Sequence, residues 1–124
     1  MFETLAVLLV LQIKHWYADF YIQTYDQTVK KGLYLNPVGL SHSIDHIWTS
    51  LVVLFIASFF TSIAVWAILP VCIIEGIIHY HIDWLKVHYG SKDMYKPLFW
   101  NQFGMDQLAH QATYLAMVYI LLLS

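Results

Sequence analysis

An all-α fold, a bundle of four transmembrane helices joined by short loops, is what this sequence predicts. Three observations carry that expectation. The chain of 124 residues is 60% hydrophobic and only 11% charged, where a soluble domain is about a quarter charged. Its apolar residues gather into runs long enough to cross a hydrocarbon core, which takes about 20 residues of helix. Polar stretches rich in turn residues separate these runs, at 26–39 and 89–96. The length suits one domain, so residues 1–124 are expected to form a single integral membrane unit.

The first helix is expected over residues 2–25. Leu5 to Leu11 is continuous hydrophobe, and His15, Asp19 and Gln23 arrive only in its second half. Lys14 is expected to face outward and snorkel, or to pair with Asp19. With no basic leader region and no small-x-small cleavage site, this helix is not expected to be a cleaved signal. Lys30-Lys31-Gly32 and Asn36-Pro37-x-Gly39 then break the chain. The second helix is expected over 41–62, with Ser41 as its N-cap. A single helix from Ser41 to His88 would be about 72 Å long at 1.5 Å per residue, so it must fold back on itself. A turn at 62–65 sets His79 at the depth of His15 and His110. That gives a third helix over 65–88, with Pro70 in its first turns, where a missing N–H is tolerated. The fourth helix is expected over 98–123. Cys72, the single cysteine, sits in an apolar run and reads as a buried helix residue, which excludes a disulfide framework or a cysteine-based zinc motif.

All six lysines (14, 30, 31, 86, 92 and 96) fall on the loop side of this topology. The positive-inside rule then places the loops in the cytoplasm and both termini in the periplasm, across a bacterial inner membrane. The chain has no arginine and a net charge of −2, so nucleic acid is not an expected partner. The expected partners are the lipid bilayer and either a second copy of the chain or a host membrane complex.

Ionisable groups inside a spanning segment are costly, and by default they mark a functional site. Glu75, His79 and Asp83 recur at i, i+4 and i+8, on one helix face. Three other stretches supply partners: His15-x3-Asp19-x3-Gln23, His42-x3-His46 and Asp106-Gln107-x2-His110. The topology brings all four to one level. Imidazole nitrogen and carboxylate oxygen bind zinc, iron or manganese, so His15, His42, His46, His79, Asp83, Asp106 and His110 are candidate ligands, zinc being the first expectation. Gln23 and Gln107 are expected to orient those ligands from outside. Glu75 and Asp19 are the candidate catalytic bases. Asp45 is expected to point away from the centre, and His81 and His88 to be interfacial or exposed. Trp16, Tyr17, Trp48, Trp84, Tyr89, Tyr95 and Trp100 read as an interface belt.

At the four polar motifs the chain resembles the small bacterial and phage membrane proteins of the domain of unknown function 3307 family. The carrying residues are His15 to Gln23, Ser41 to His46, His79 to Lys86 and Asp106 to His110, in order along nearly the whole chain. The resemblance implies a four-helix membrane fold and no particular activity. A fainter similarity runs to membrane-bound metal-dependent hydrolases. Two functional expectations follow. One is a metal-dependent hydrolase of an amphipathic or lipid-headgroup substrate, with two metals suiting phosphoester chemistry. The other is a non-catalytic, phage-type membrane protein that assembles with itself or a host complex, its polar cluster serving as hydrogen-bonding glue. A proton or metal conduit is a third, smaller expectation.

Overall fold

A computed structural model describes residues 1–123. Among these residues the chain is all-helical, with five α-helices and no strand. Helix α1, Phe2–Trp16, runs into a π-helical segment, Tyr17–Tyr21, where the Ile22 N–H reaches back to the Tyr17 carbonyl at 3.0 Å. The expected first helix over 2–25 therefore changes winding at residue 17 and stops at 21. Such widened turns recur at functional sites, and this one carries Asp19.

Helix α2, Tyr25–Lys30, occupies the stretch expected to be a loop. A capping box starts it: Thr24 Oγ1 accepts from the Gln27 N–H at 3.2 Å, and Gln27 Oε1 accepts from the Thr24 N–H at 2.8 Å. The connector to the next helix passes through Leu35 in the left-handed region, φ 57°. That conformation is uncommon for a branched side chain, and the Leu35 N–H is held by the Tyr80 hydroxyl at 2.6 Å.

Helix α3, Pro37–Ala57, starts ahead of the expected cap at Ser41. Asn36 Oδ1 accepts from the Val38 N–H at 3.0 Å, and Pro37 sits where no donor is needed. Ser41 is instead a tie to α2, accepting from Gln27 at 3.0 Å. The helix also ends short of 62, in tight turns from Phe59 to Ile56 and from Phe60 to Ala57. Helix α4, Val65–Tyr89, begins at the expected residue. Pro70 is deeper than expected: only the first four N–H groups of a helix lack partners, so at the sixth position Pro70 removes a bond to the Trp66 carbonyl. Helix α5, Pro97–Leu123, completes the chain.

Helix α3 packs on α4, α4 on α5, and α1 on both α3 and α5. The α3–α4 approach depends on Gly76, because a Cβ there would lie 2.3 Å from Ile47 Cγ1. Gly39 does the same for α2 against α3, where a Cβ would meet Lys31 Cα at 2.8 Å. At one end of the molecule Glu3 accepts from the Ser62 N–H at 2.8 Å, and the Ala64 N–H donates to the Leu121 carbonyl at 2.9 Å. That end has an apolar core of Val7, Leu11, Leu54, Cys72, Tyr114 and Leu121 with their neighbours. The other end is polar inside.

The outer surface is the reverse. Leu5, Leu9 and Ile13 of α1, Phe55 and Ile56 of α3, Leu69, Ile73 and Ile77 of α4, and Leu108 and Leu115 of α5 are all exposed. Helices α3 and α4 are each long and apolar enough to cross a membrane.

Candidate metal centre

Each polar motif enters the interior from its own helix. Asp19 comes from the π-helical segment, His42 and His46 from α3, Glu75, His79 and Asp83 from α4, and Asp106 and His110 from α5. The i, i+4 spacings keep each set on one inward face, and His15, His42, His46, His79 and His110 are all buried. The rings crowd together: His46 and His79 stack at 3.5 Å between centroids, and His79 and His110 at 4.2 Å.

Four ligand-type atoms converge most closely. His42 Nε2 lies 3.2 Å from His79 Nε2, 3.1 Å from Asp19 Oδ1 and 3.3 Å from Asp83 Oδ2. His79 Nε2 lies 3.5 Å from Asp19 Oδ1 and 3.2 Å from Asp83 Oδ2. Asp19 and Asp83 approach within 4.8 Å. Metal–ligand bonds near 2.0–2.1 Å set the edge of a zinc tetrahedron at roughly 3.3 Å. Five of the six edges here match it. Two further groups overlap this one: His15, Asp19, His46 and His79 share Asp19 and His79 with it, and Asp83, Asp106 and His110 share Asp83.

Charge makes the quartet unusual. Glu75 is bonded to Lys14, Asp83 to Lys31 at 2.9 Å and Asp106 to Lys86 at 2.9 Å. Among the described residues Asp19 is the interior carboxylate with no lysine; its neighbours are His15, His42, His46 and His79. A buried carboxylate without a counter-charge is costly, and within ion-pair distance Asp19 has imidazoles alone to offset its charge.

The hydrogen bonds sort the five histidines. Lys14 Nζ donates to His46 Nδ1 at 3.0 Å, so His46 carries its proton on Nε2 and donates it to Asp19 Oδ1 at 2.8 Å. Gln107 Nε2 donates to Asp106 at 3.1 Å, which turns its Oε1 toward His15 Nε2 at 3.1 Å. His15 then donates from Nε2 and accepts from the Tyr114 hydroxyl at Nδ1, at 2.9 Å. Both nitrogens of His15 and of His46 are thus engaged. His79 Nδ1, by contrast, is buried without a hydrogen-bond partner, and His110 Nε2 has only the ion-pair contacts to Asp106 Oδ1 at 3.4 Å and Asp83 Oδ1 at 3.5 Å. Gln23 stands beside His42, with its Nε2 2.7 Å from His42 Nε2 and 3.2 Å from Nδ1.

The expected cluster is therefore together, with three changes. Lys14 does not face outward: it is buried, and it bonds Glu75 and His46. Glu75 is consequently an ion-pair partner rather than a free base. Lys31, expected in a loop, reaches Asp83 from the C-terminal end of α2. Asp45 does point away, accepting from Gln27 at 2.9 Å, and His81 and His88 are exposed. Tyr114 was not singled out from the sequence. Its spacing four residues after His110 extends the Asp106–His110 stripe and was the available signal. No local pattern marks Lys31.

No curated protein and no solved structure matches this chain. The profile of the DUF3307 family, described as proteins of unknown function, matches residues 7–124 and so takes in every element that builds this centre. The chain belongs to that family.

Proposed function

We propose that this chain is a four-span membrane protein whose polar centre binds one zinc-type ion and hydrolyses an ester of an amphipathic substrate. The observation that carries the reading is the quartet of Asp19, His42, His79 and Asp83, spaced like the corners of a zinc tetrahedron around a carboxylate that lacks a counter-charge. With the imidazoles neutral, as metal ligands are, one divalent cation would turn that single negative charge into a single positive one, and two would leave a larger excess.

Four spans follow from the inverted surface, with apolar side chains outside on all four long helices. Phe2–Tyr21 is 20 continuous helical residues across α1 and the π-helical segment, and α5 has 27. Both reach across a hydrocarbon core of about 30 Å. Their polar residues face the centre, which lowers their hydropathy without exposing charge to lipid. The lysine-bearing loops then lie in the cytoplasm and both termini in the periplasm.

Asp19, His42 and His79 serve as the three full ligands. Asp83 would be the fourth ligand, and because Lys31 already neutralises it, it would be the weakest of the four. His46 and His15 donate hydrogen bonds to Asp19 and to Gln107 and fix the ligand geometry. His110 Nε2, 3.5 Å from Asp83 Oδ1 and 3.4 Å from Asp106 Oδ1, would relay a proton from the attacking water to the leaving group. Bound in the quartet, zinc would supply a Lewis acid and lower the pKa of water toward neutrality.

Elemental analysis of protein purified without added metal tests the centre, and turnover of a p-nitrophenyl phosphodiester with and without chelator tests the chemistry. One metal per chain and chelator-sensitive turnover are expected. One observation favours a second reading: the quartet side chains are at most 7% exposed, as in a structural metal clamp. Stoichiometric metal with no ester turnover would select that reading. Absence of metal would end both.

A further inference from the structure

Lys92 differs from the other lysines. Lys14, Lys30, Lys31, Lys86 and Lys96 each have a carboxylate within ion-pair distance. Among the described residues Lys92 has none. It is exposed, and with Lys86 it borders a cavity of about 380 Å³ at the loop end of the molecule, roofed by α2 and the loop between α4 and α5. Small-molecule sites commonly have about 300–1,000 Å³.

The cavity is chemically divided. Lys86 and Lys92 bring ammonium groups, and Val29, Val87, Met94 and Phe99 make an apolar wall. Lys86 is held at its edge, with Nζ 4.4 Å from the centroid of the Phe103 ring. From Lys86 a short path leads inward. Its Nζ donates to Asp106 Oδ2 at 2.9 Å, Asp106 Oδ1 lies 3.4 Å from His110 Nε2, and that nitrogen lies 3.5 Å from Asp83 Oδ1. Tyr89, Tyr95 and Trp100, all exposed, surround this end, the aromatic setting of a membrane–water interface. A free anion would leave the apolar wall unused, and a neutral lipid would leave Lys92 unpaired.

We propose that this cavity binds the phosphate-bearing head of an amphiphile, with Lys92 and Lys86 on the phosphate and the apolar wall on the first carbons of its tail. The proposal rests on the hydrolase reading for its meaning, as the place where substrate waits beside the metal centre, but its binding step requires no metal.

Titration calorimetry on the full chain in a neutral maltoside detergent tests it, with three probes: dihexanoyl phosphatidic acid, dihexanoyl phosphatidylcholine and inorganic phosphate. Phosphatidic acid is expected to bind at least about tenfold more tightly than the other two, a difference of about 1.4 kcal/mol. Lys92→Gln is expected to weaken it about three- to fivefold, the size of one exposed charge. Val29→Trp, placed at an exposed position so that the fold tolerates it, should fill the cavity and abolish binding. Both variants should keep the metal content of the parent. Equal binding of the three probes, or binding that neither variant changes, overturns the proposal and marks adsorption to the micelle. A His79→Ala chain that has lost metal but still binds phosphatidic acid upholds the cavity whatever becomes of the metal centre. Metal-loaded protein that does not bind phosphatidic acid overturns the cavity alone.

Discussion

At the end where Glu3 meets Ser62, the four long helices touch through Val7, Leu11, Leu54, Ala67, Cys72 and Leu121. At the end capped by α2, the same helices touch through Asp19, His42, His79, Asp83 and His110. In water the first end would supply most of the stability. In lipid, the surroundings proposed for it, it would not, because the hydrocarbon around the helices would be as apolar as their side chains. What remains there is close packing, which many combinations of apolar residues satisfy. The polar end has directional bonds and a charge inventory, which few combinations satisfy. In a bilayer the polar end would therefore set the depth and rotation of each helix, and the apolar end would follow.

Breaking an ion pair at the polar end should have the largest effect. Lys14→Met leaves Glu75 buried with no cation, at a cost of about 3–5 kcal/mol. The double substitution Lys14→Met with Glu75→Leu removes both charges and should recover most of that loss. Chemical denaturation in detergent measures both. A single variant as stable as the parent would show that the polar end does not set the register.

Asp19→Asn comes next. It removes the uncompensated charge and one ligand, so metal affinity should fall by more than about 100-fold, beyond the 10–100-fold typical of an outer partner. Competition against a chromophoric chelator reads this out. If zinc binds the variant as well as the parent, the cluster is a hydrogen-bond network and the contrast between the ends is only one of polarity.

Leu54→Ala probes the apolar end. Leu54 is fully buried, and the cost should be on the order of 1–2 kcal/mol, a cavity term with little transfer term. A loss of 4 kcal/mol or more, far above that order of magnitude, would show that burial from water stabilises this end, which would argue against lipid as its surroundings.

The smallest effect belongs outside the bundle. Thr24→Ala deletes half of the capping box at the start of α2 and should cost about 1 kcal/mol or less. Hydrogen exchange should rise in α2 and stay unchanged at His79 and Asp83. Faster exchange spreading into α4 would mean that α2 holds the His/Asp cluster together through Lys31 as well as covering it.

The four polar stripes and the start of α4 at Val65 were legible in the sequence, the stripes because helical periodicity is local: residues four apart share a face whatever the helix later meets. The capping box of α2 was legible too, as Thr24 followed three residues later by Gln27, but two lysines, a glycine and a proline beyond it made a loop the simpler reading. The fate of the lysines could not be read. Lys14 stands beside His15 and has the look of a snorkelling residue, and Lys31 sits in a run of turn residues. Whether each reaches water or a carboxylate depends on which acid another helix holds opposite it: Glu75 lies 61 positions from Lys14, and Asp83 lies 52 from Lys31. The sequence by itself determined which histidines and aspartates each helix would turn inward. Only the tertiary structure decided which charges would cancel, because that balance depends on distances between helices, and it is this balance that leaves Asp19 without a lysine among four histidines.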